Sequence, residues 1–461
     1  MKATITNKIT VIENPSDELK LFLNKELSYV DKAKKYQLTR MSRNPFTKNS
    51  ALFKKLQAES EGNLLKVHPS GNYLVIPSAL LYLLNNFTIS TIDKRSTTGI
   101  TVPLPWVNKP HDLRDYQQEA ADLMDSNYRG IINFATGLGK TLLATHSIKR
   151  HRTKTLVVCP TDSVAKQFYK ELVSAFGEVK VGFFGDGKKK IKDITVGIAA
   201  SVYKNVDLFK KENLGLIIID EAHHIPASTF YNIATELGDV GKIFGLTATD
   251  YRSDGKDIMI SAGCGDVLIS KDIKWGVANG WLAEPIFIIR EVKTGGKDFR
   301  DDKLKNYIEH VRNSSIMKDQ ILNDIKAFIS KGKSVLCLVD EVAHGEELSK
   351  LLGIPFATGK DSKSQEYVDQ LNAGKIPGLI GTDGKVGEGT DTKNVDVLVM
   401  ANFVASKGPV IQGVGRGLRK QGQKTHCIIL DYIPVSSKML ERHALNRIKF
   451  YKEITDKVTI I

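Results

Sequence analysis

Two series of short apolar runs, rich in β-branched residues, constrain this chain more than any other feature. The first series is GIINFA (130–135), TLVVCP (155–160), ITVGIAA (194–200), GLIIID (215–220) and KIFGLTAT (242–249). The second is SVLCLVD (334–340), PGLIGTD (377–383), VDVLVMAN (395–402) and THCIILD (425–431). The apolar residues are continuous rather than alternating, so a strand built from such a run needs cover on both faces. Helix-like segments separate the runs, and this alternation predicts α/β architecture with two tandem doubly wound parallel sheets. In such sheets ligands bind at the carboxyl ends of the strands, so the residues just after each run carry the chemistry.

At 461 residues the chain exceeds one ordinary core. Hydrophobic content of 41% beside 26% charged residues fits a soluble globular protein and excludes a disordered one. Residues 1–105 lack the strand–helix alternation and close near Pro103, Pro105 and Pro110, which predicts a small, separate, basic α+β domain. The net charge of +14 suits a polyanionic partner such as nucleic acid. Within the first domain, residues 32–55 hold eight basic side chains and no acidic one, interleaved with Tyr36, Phe46 and Phe53. Two readings stay open: a nucleic-acid surface using Lys34, Lys35, Arg40 and Arg43, or a solvated basic face whose aromatics fill a small core. Cys159, Cys264, Cys337 and Cys427 lie far apart without a C-x-x-C pair, which argues against zinc and disulfides and fits a reducing compartment. No apolar run reaches the roughly 18 residues of a membrane span and no signal-peptide core is present, so a cytoplasmic location without membrane contact is expected.

ATGLGKT (135–141) follows the first run. Gly137 and Gly139 permit a tight turn, and backbone N–H groups at the next helix N-terminus then face an anion. Lys140 would reach the β- and γ-phosphates of ATP and Thr141 would bring its hydroxyl to Mg²⁺. Phe134 stands where the strict G-x-x-x-x-G-K-[ST] pattern has its first glycine, and the later positions are intact. Asp220 and Glu221 end a buried run, where an uncompensated carboxylate pair is costly. A metal ion resolves that cost: Asp220 would hold Mg²⁺ and Glu221 would polarise the attacking water. QGVGRGLR (412–419) sets Arg416 and Arg419 three positions apart among glycines, as neighbours on one face if helical.

ATGLGKT, DEAH (220–223), LTAT (246–249) and QGVGRGLR occur in the order seen in superfamily 2 helicases and translocases, which the chain resembles over residues 110–432. LRDYQ (113–117) resembles their adenine-reading motif, with Arg114, Tyr116 and Gln117 at the base. CPTDSVAKQF (159–168) and AAS (199–201) resemble segments that touch the nucleic-acid backbone, here through Pro160, Thr161, Gln167 and Ser201. GTDGKVGEGTD (381–391) resembles a motif that places Thr382 near the tracked strand and Gly389 and Asp391 near the nucleotide. The resemblance further implies Thr136 and Gln412 at the nucleotide, Arg416 and Arg419 on the γ-phosphate, and His223, Thr247 and Thr249 as couplers; His224 could be a second coupler or a polar cap. The form LRDYQ, the second histidine, and TATDYRSDG with Arg252, Asp254 and Gly255 are similar to the DNA-directed group of phage UvsW-type branch-migration helicases, XPB-like proteins and restriction translocases. Asp250 departs from the proline common in that group.

The domains implied are 1–105 for nucleic-acid binding, 106–288 and 316–461 as RecA-like domains, and 289–315 as a linker leading into the second, which ends in a helix. The function implied is ATP- and Mg²⁺-dependent remodelling of branched or forked DNA, by a monomer that could meet recombination or replication proteins, in the host cytoplasm if phage-encoded. An RNA helicase would use similar motor residues. A nucleic-acid-binding scaffold would have lost Lys140, Asp220, Glu221, Arg416 or Arg419, all of which are present.

Overall fold

Hydrogen bonding joins the first series of runs into one sheet and the second series into another. The computed structural model describes residues 1–461 apart from 43–47, 49, 98, 224–226, 249–256, 300–301, 359–362, 383–391, 404–406 and 421–423. Two compact units result: Met1–Phe134 with Gly139–Ser270, and Ala135–Leu138 with Lys271–Ile461.

In the first unit the strand order is Lys188–Lys189, Val181–Gly185, Ile194–Ile198, Thr155–Cys159, Leu216–Ile219, Lys242–Thr247, Arg129–Phe134 and Val267–Lys271. The pairs from Val181–Gly185 through to Arg129–Phe134 are parallel. The inner strands are buried along nearly their whole length, as continuous apolar runs require. The amino-terminal residues form a mixed α+β domain with the strand order Lys66–Val67, Tyr73–Pro77, Ile9–Glu13, Lys2–Ile5 and Ser90–Asp93. Its core of Ile12, Leu19, Leu23, Leu74 and Leu80 is continuous with Ala262, Tyr231 and Ile258 of the larger sheet's helices. Arg129 adds a polar tie: its Nη2 donates to Asn7 O at 2.7 Å and Gly238 O at 2.8 Å.

The second unit's sheet runs Phe356–Ala357, Gly378–Thr382, Val335–Val339, Val397–Ala401, His426–Pro434, Glu284–Val292 and Val458–Ile460. Every registered pair in it is parallel. Glu284–Val292 is an inner strand, so the segment expected to begin as a linker at residue 289 begins inside the sheet. The sequence EPIFIIREV alternates buried with less buried residues rather than forming a continuous apolar block, which is why its polar end reads as linker.

The helix Lys438–Ile454 buries Leu440, Ala444, Ile448 and Tyr451, and also Arg447. Arg447 meets Asp431 in the sheet through Nε to Oδ2 at 2.7 Å and Nη2 to Oδ1 at 2.8 Å. Tyr451 OH donates to Oδ2 at 2.8 Å and the Tyr432 N–H to Oδ1 at 2.7 Å. Asp431 is wholly buried with every donor aimed at it, the condition under which a buried ion pair persists. Asp431→Ala therefore leaves Arg447 charged and buried without its partner, and should lower stability by about 3–5 kcal/mol. Urea denaturation followed by tryptophan fluorescence reads this; a loss below about 1 kcal/mol would show that the pair does not anchor the helix.

His344, wholly buried, pairs through Nδ1 with Tyr307 OH at 2.7 Å. Burial pushes its pKa down to about 4; Lys318 and Arg312 act in the same direction, and Glu347 opposes. The unfolded imidazole takes a proton below about pH 6.5 while the folded one stays neutral to about 4, so stability falls as pH drops through that window. The loss should approach about 2 kcal/mol between pH 7 and 4.5. His344→Gln should flatten the dependence, read as urea midpoints against pH; an unchanged slope would assign the acid sensitivity elsewhere.

Candidate nucleotide-binding and nucleic-acid-binding sites

The glycine loop leaves the buried strand Arg129–Phe134 and turns through Gly137 and Gly139 at φ 91° and 79°, a region that disfavours side chains. Gly139 is also the N-cap of the helix Lys140–His151, and a Cβ there would overlap Gln117 Nε2. Gln117 is buried; its Oε1 accepts from the Arg114 N–H at 3.0 Å and its Nε2 donates to Gly139 O at 3.4 Å. Arg114 Nη1 donates to Tyr116 OH at 3.0 Å, and the Tyr116 ring meets Phe134 edge-on at 5.3 Å. The structure thus brings Arg114, Tyr116, Gln117 and Gly139 into one packed assembly.

Lys140 Nζ donates to Phe134 O at 3.2 Å and lies 3.3 Å from Glu221 Oε1. Asp220 ends the strand Leu216–Ile219, where burial and then the Glu221 charge push its carboxyl up while Lys140 opposes them. Glu221 holds φ at 44°, left-handed backbone that a non-glycine residue adopts at a cost of about 1–3 kcal/mol and that clusters at functional sites. Its Oε2 lies 3.7 Å from His223 Nδ1, which in turn lies 2.6 Å from Thr247 Oγ1. Glu221, His223 and Thr247 therefore form a chain between the ends of two adjacent strands. Thr249, His224, Asp250, Arg252, Asp254 and Gly255 lie outside the described residues.

These residues fit a magnesium nucleotide. The donor set is hard oxygen, from the Asp220 carboxylate and the Thr141 hydroxyl, which suits Mg²⁺. Asp220 is a buried acid that burial holds against ionisation, and a cation favours its charged form. Among the described residues no group of three or more His, Cys, Asp or Glu side chains could hold a metal alone. Phosphate oxygens and water would complete the shell, as is usual for Mg²⁺.

In the second unit, Gln412 and Arg416 are buried on the helix Lys407–Gly417. That helix begins five residues before QGVGRGLR and ends between its two arginines, so Arg419, half-buried, lies just beyond the last turn. The glycines permit close packing. A Cβ on Gly415 would lie 2.8 Å from Thr136 Cβ, and one on Gly417 would lie 3.0 Å from Cys427 Sγ. Likewise a Cβ on Gly137 would stand 3.2 Å from Arg419 Cγ. Thr382 ends the strand Gly378–Thr382; Gly389 and Asp391 lie outside the described residues.

Pro160 and Thr161 follow the strand Thr155–Cys159, and Ser201 lies on the helix Ala199–Lys204 that follows its parallel neighbour Ile194–Ile198. The structure places them at one end of the sheet. Gln167, half-buried, lies in the second turn of the helix that Thr161 caps. Lys34 and Lys35 pair with Glu59 and Glu61 at 2.6 and 3.1 Å, Arg40 is exposed, and Arg43 lies outside the described residues. Sequence reasoning missed Lys242, whose Nζ donates to the carbonyls of Met124, Asp125 and Asn127 at 3.0, 2.6 and 2.8 Å. It closes the C-terminus of the helix that carries Gln117; its one sequence signal is a lone lysine opening an apolar run.

The sheets and the glycine loop define a tandem α/β protein of the RecA-like kind. Residues 110–252 match the family described as type III restriction enzyme, res subunit. The chain is 27% identical over 369 residues to the putative ATP-dependent helicase IRC3 of Saccharomyces cerevisiae, covering 70% of this chain and 52% of that protein. It is 25% identical over 372 residues to the DNA 3'-5' translocase XPB2 of Sulfurisphaera tokodaii, covering 70% and 82%. A fragment of a putative HsdR subunit of a type I restriction enzyme from Vibrio vulnificus shares the fold at TM-score 0.56 and 19% identity, over 74% of this chain and 66% of that one. The chain spans about half the length of the yeast relative. In these comparisons the chain is similar to helicases and translocases of superfamily 2.

Gly139→Ala should lower ATP affinity at least about tenfold, because the loop must leave both its left-handed turn and its contact with Gln117. Fluorescent-nucleotide titration of the folded variant reads this, and wild-type affinity would show that the loop geometry is dispensable.

Proposed function

We propose that the chain is an ATP-driven DNA helicase or translocase that remodels branched DNA, by fork regression and junction migration. The observation that carries this reading is the convergence of Lys140, Asp220, Glu221 and the Gln117-braced glycine loop at the ends of parallel strands. Lys140 is the cation for the β- and γ-phosphates, with Thr136, Gly137, Gly139 and Thr141 around them and Arg114, Tyr116 and Gln117 on the adenine side. Glu221 is the base for the attacking water, and its link to His223 and Thr247 carries the change in charge to the neighbouring strand. Mg²⁺, when bound, would neutralise phosphate charge. Arg416 and Arg419 are the phosphate-gripping arginines, assisted by Gln412; guanidinium groups suit this because they stay charged and grip oxygens in a fork. Such arginines are worth roughly 10³–10⁵ in rate.

Pro160, Thr161, Gln167, Ser201 and Thr382 are proposed to hold the nucleic-acid backbone, which polar groups at the strand ends suit. DNA as the track is supported by the similarity to the archaeal DNA 3'-5' translocase. The basic composition supports a polyanionic partner of either kind.

ATP turnover should rise with DNA and respond less to matched RNA. Glu221→Gln should cut turnover by about 10²–10⁴-fold while nucleotide binding persists. Unchanged turnover would remove Glu221 from the hydrolytic step, and a stronger response to RNA would reassign the substrate. Branched-DNA remodelling is read by comparing forks, four-way junctions, flush duplexes and RNA hybrids with ATP; equal action on all four would leave a general translocase.

A further inference from the structure

The amino-terminal domain carries an arm that the motor does not account for. A two-stranded ribbon, Ser28–Val30 paired with Glu61–Asn63, leads to the helices Lys32–Ser42 and Ala51–Glu59. The base of the arm is fixed. Tyr29 pairs with Gly62 across the ribbon, where any Cβ would overlap the tyrosine ring. Asn63 Nδ2 donates to Asn24 O at 3.1 Å and Asn24 Oδ1 at 2.8 Å. Asp31, buried, accepts from the Lys34 N–H at 3.0 Å and so caps the first helix. Ser50 caps the second, accepting from the Phe53 N–H at 3.1 Å.

The ion pairs of the arm sort its cations. Lys34 and Lys35 are spent on Glu59 and Glu61. Lys34, Leu38 and Met41 are half-buried along one side of the first helix, and Lys32, Tyr36 and Arg40 are exposed. Those three recur every fourth residue, so they lie along one face over about 12 Å of helix. Tyr36 is 71% exposed, unusual for an aromatic ring. The helix contains no acidic residue, so a polyanion meets no repulsion along it.

We propose that Lys32, Tyr36 and Arg40 form a stripe that grips one unpaired strand of DNA, a reading that rests on the proposed function. Tyr36 offers a flat face to an unstacked base, and the flanking cations take the phosphates on either side. A duplex presents no free base face along its length, so the tyrosine discriminates single strand from blunt duplex. The stripe differs from the lysines the sequence pointed to, because Lys34 pairs with Glu59 of the second helix and Lys35 with Glu61 of the ribbon.

The test is anisotropy of the full chain with a labelled oligothymidylate and with a blunt duplex. Tyr36→Ala should weaken oligothymidylate binding about tenfold and Tyr36→Phe should keep it, with blunt-duplex affinity held within about twofold. Lys32→Ala with Arg40→Ala should flatten the log–log salt dependence for the oligothymidylate by about 1.4, or 0.7 for each phosphate released. Circular dichroism checks that the helices persist, and retention by Tyr36→Phe separates a lost ring from a lost fold. Wild-type binding that no variant weakens, or a loss equal on both probes, overturns the stripe alone. A wild-type chain that binds neither probe overturns the stripe and the functional reading together.

Discussion

Strands buried on both faces leave polar chemistry one place to go, and the rest of the molecule follows from that restriction. In the first unit the strand Lys242–Thr247 lies between Arg129–Phe134 and Leu216–Ile219. Its neighbours end in the glycine loop and the acidic pair, and its own end supplies Thr247. Lys140 accordingly stands within reach of the last carbonyl of one strand and the carboxylate after another. Charges gathered in so little solvent cost free energy. A charged ligand that entered among them would recover part of that cost, which is what the proposed nucleotide site requires.

The same restriction has the opposite outcome in the second unit. Asp220 follows GLIII and Asp431 follows CIIL, two carboxylates in nearly the same local sequence. Asp220 stands beside another acid and is pushed toward its neutral form. Asp431 is saturated by Arg447, Tyr451 and the Tyr432 backbone, and holds the closing helix in place of any ligand. What distinguishes a site from an anchor is the donors that arrive from elsewhere in the chain.

The first unit shows how a basic composition is spent. Arg129 is half-buried against Asn7 and Gly238, where desolvation lowers its pKa to about 10. Lys242 closes a helix and Lys34 and Lys35 brace an arm. Cations that build the fold cannot also grip phosphate. Net charge therefore overstates the surface available to a polyanion, and the exposed residues of the arm carry more weight than the total.

The amino-acid sequence by itself determined the α/β class, the two parallel sheets and the glycine loop, because each depends on a local pattern: continuous apolar runs, or glycines before a lysine. It also brought the acidic pair to a strand end, since a carboxylate cannot continue a buried run without partners. The tertiary structure alone decided that Gln117 braces Gly139, that Glu221 reaches His223 and Thr247, and that Arg447 is buried rather than offered to a ligand. It alone paired Lys34 and Lys35 with Glu59 and Glu61 and left Lys32, Tyr36 and Arg40 exposed. Glu284–Val292 escaped the reading because its alternation resembles a polar segment until two strands flank it. The physical reason is common to all of these: a strand or a turn is chosen by its neighbours in sequence, while the role of a polar side chain is chosen by whichever donors and acceptors the fold brings to it.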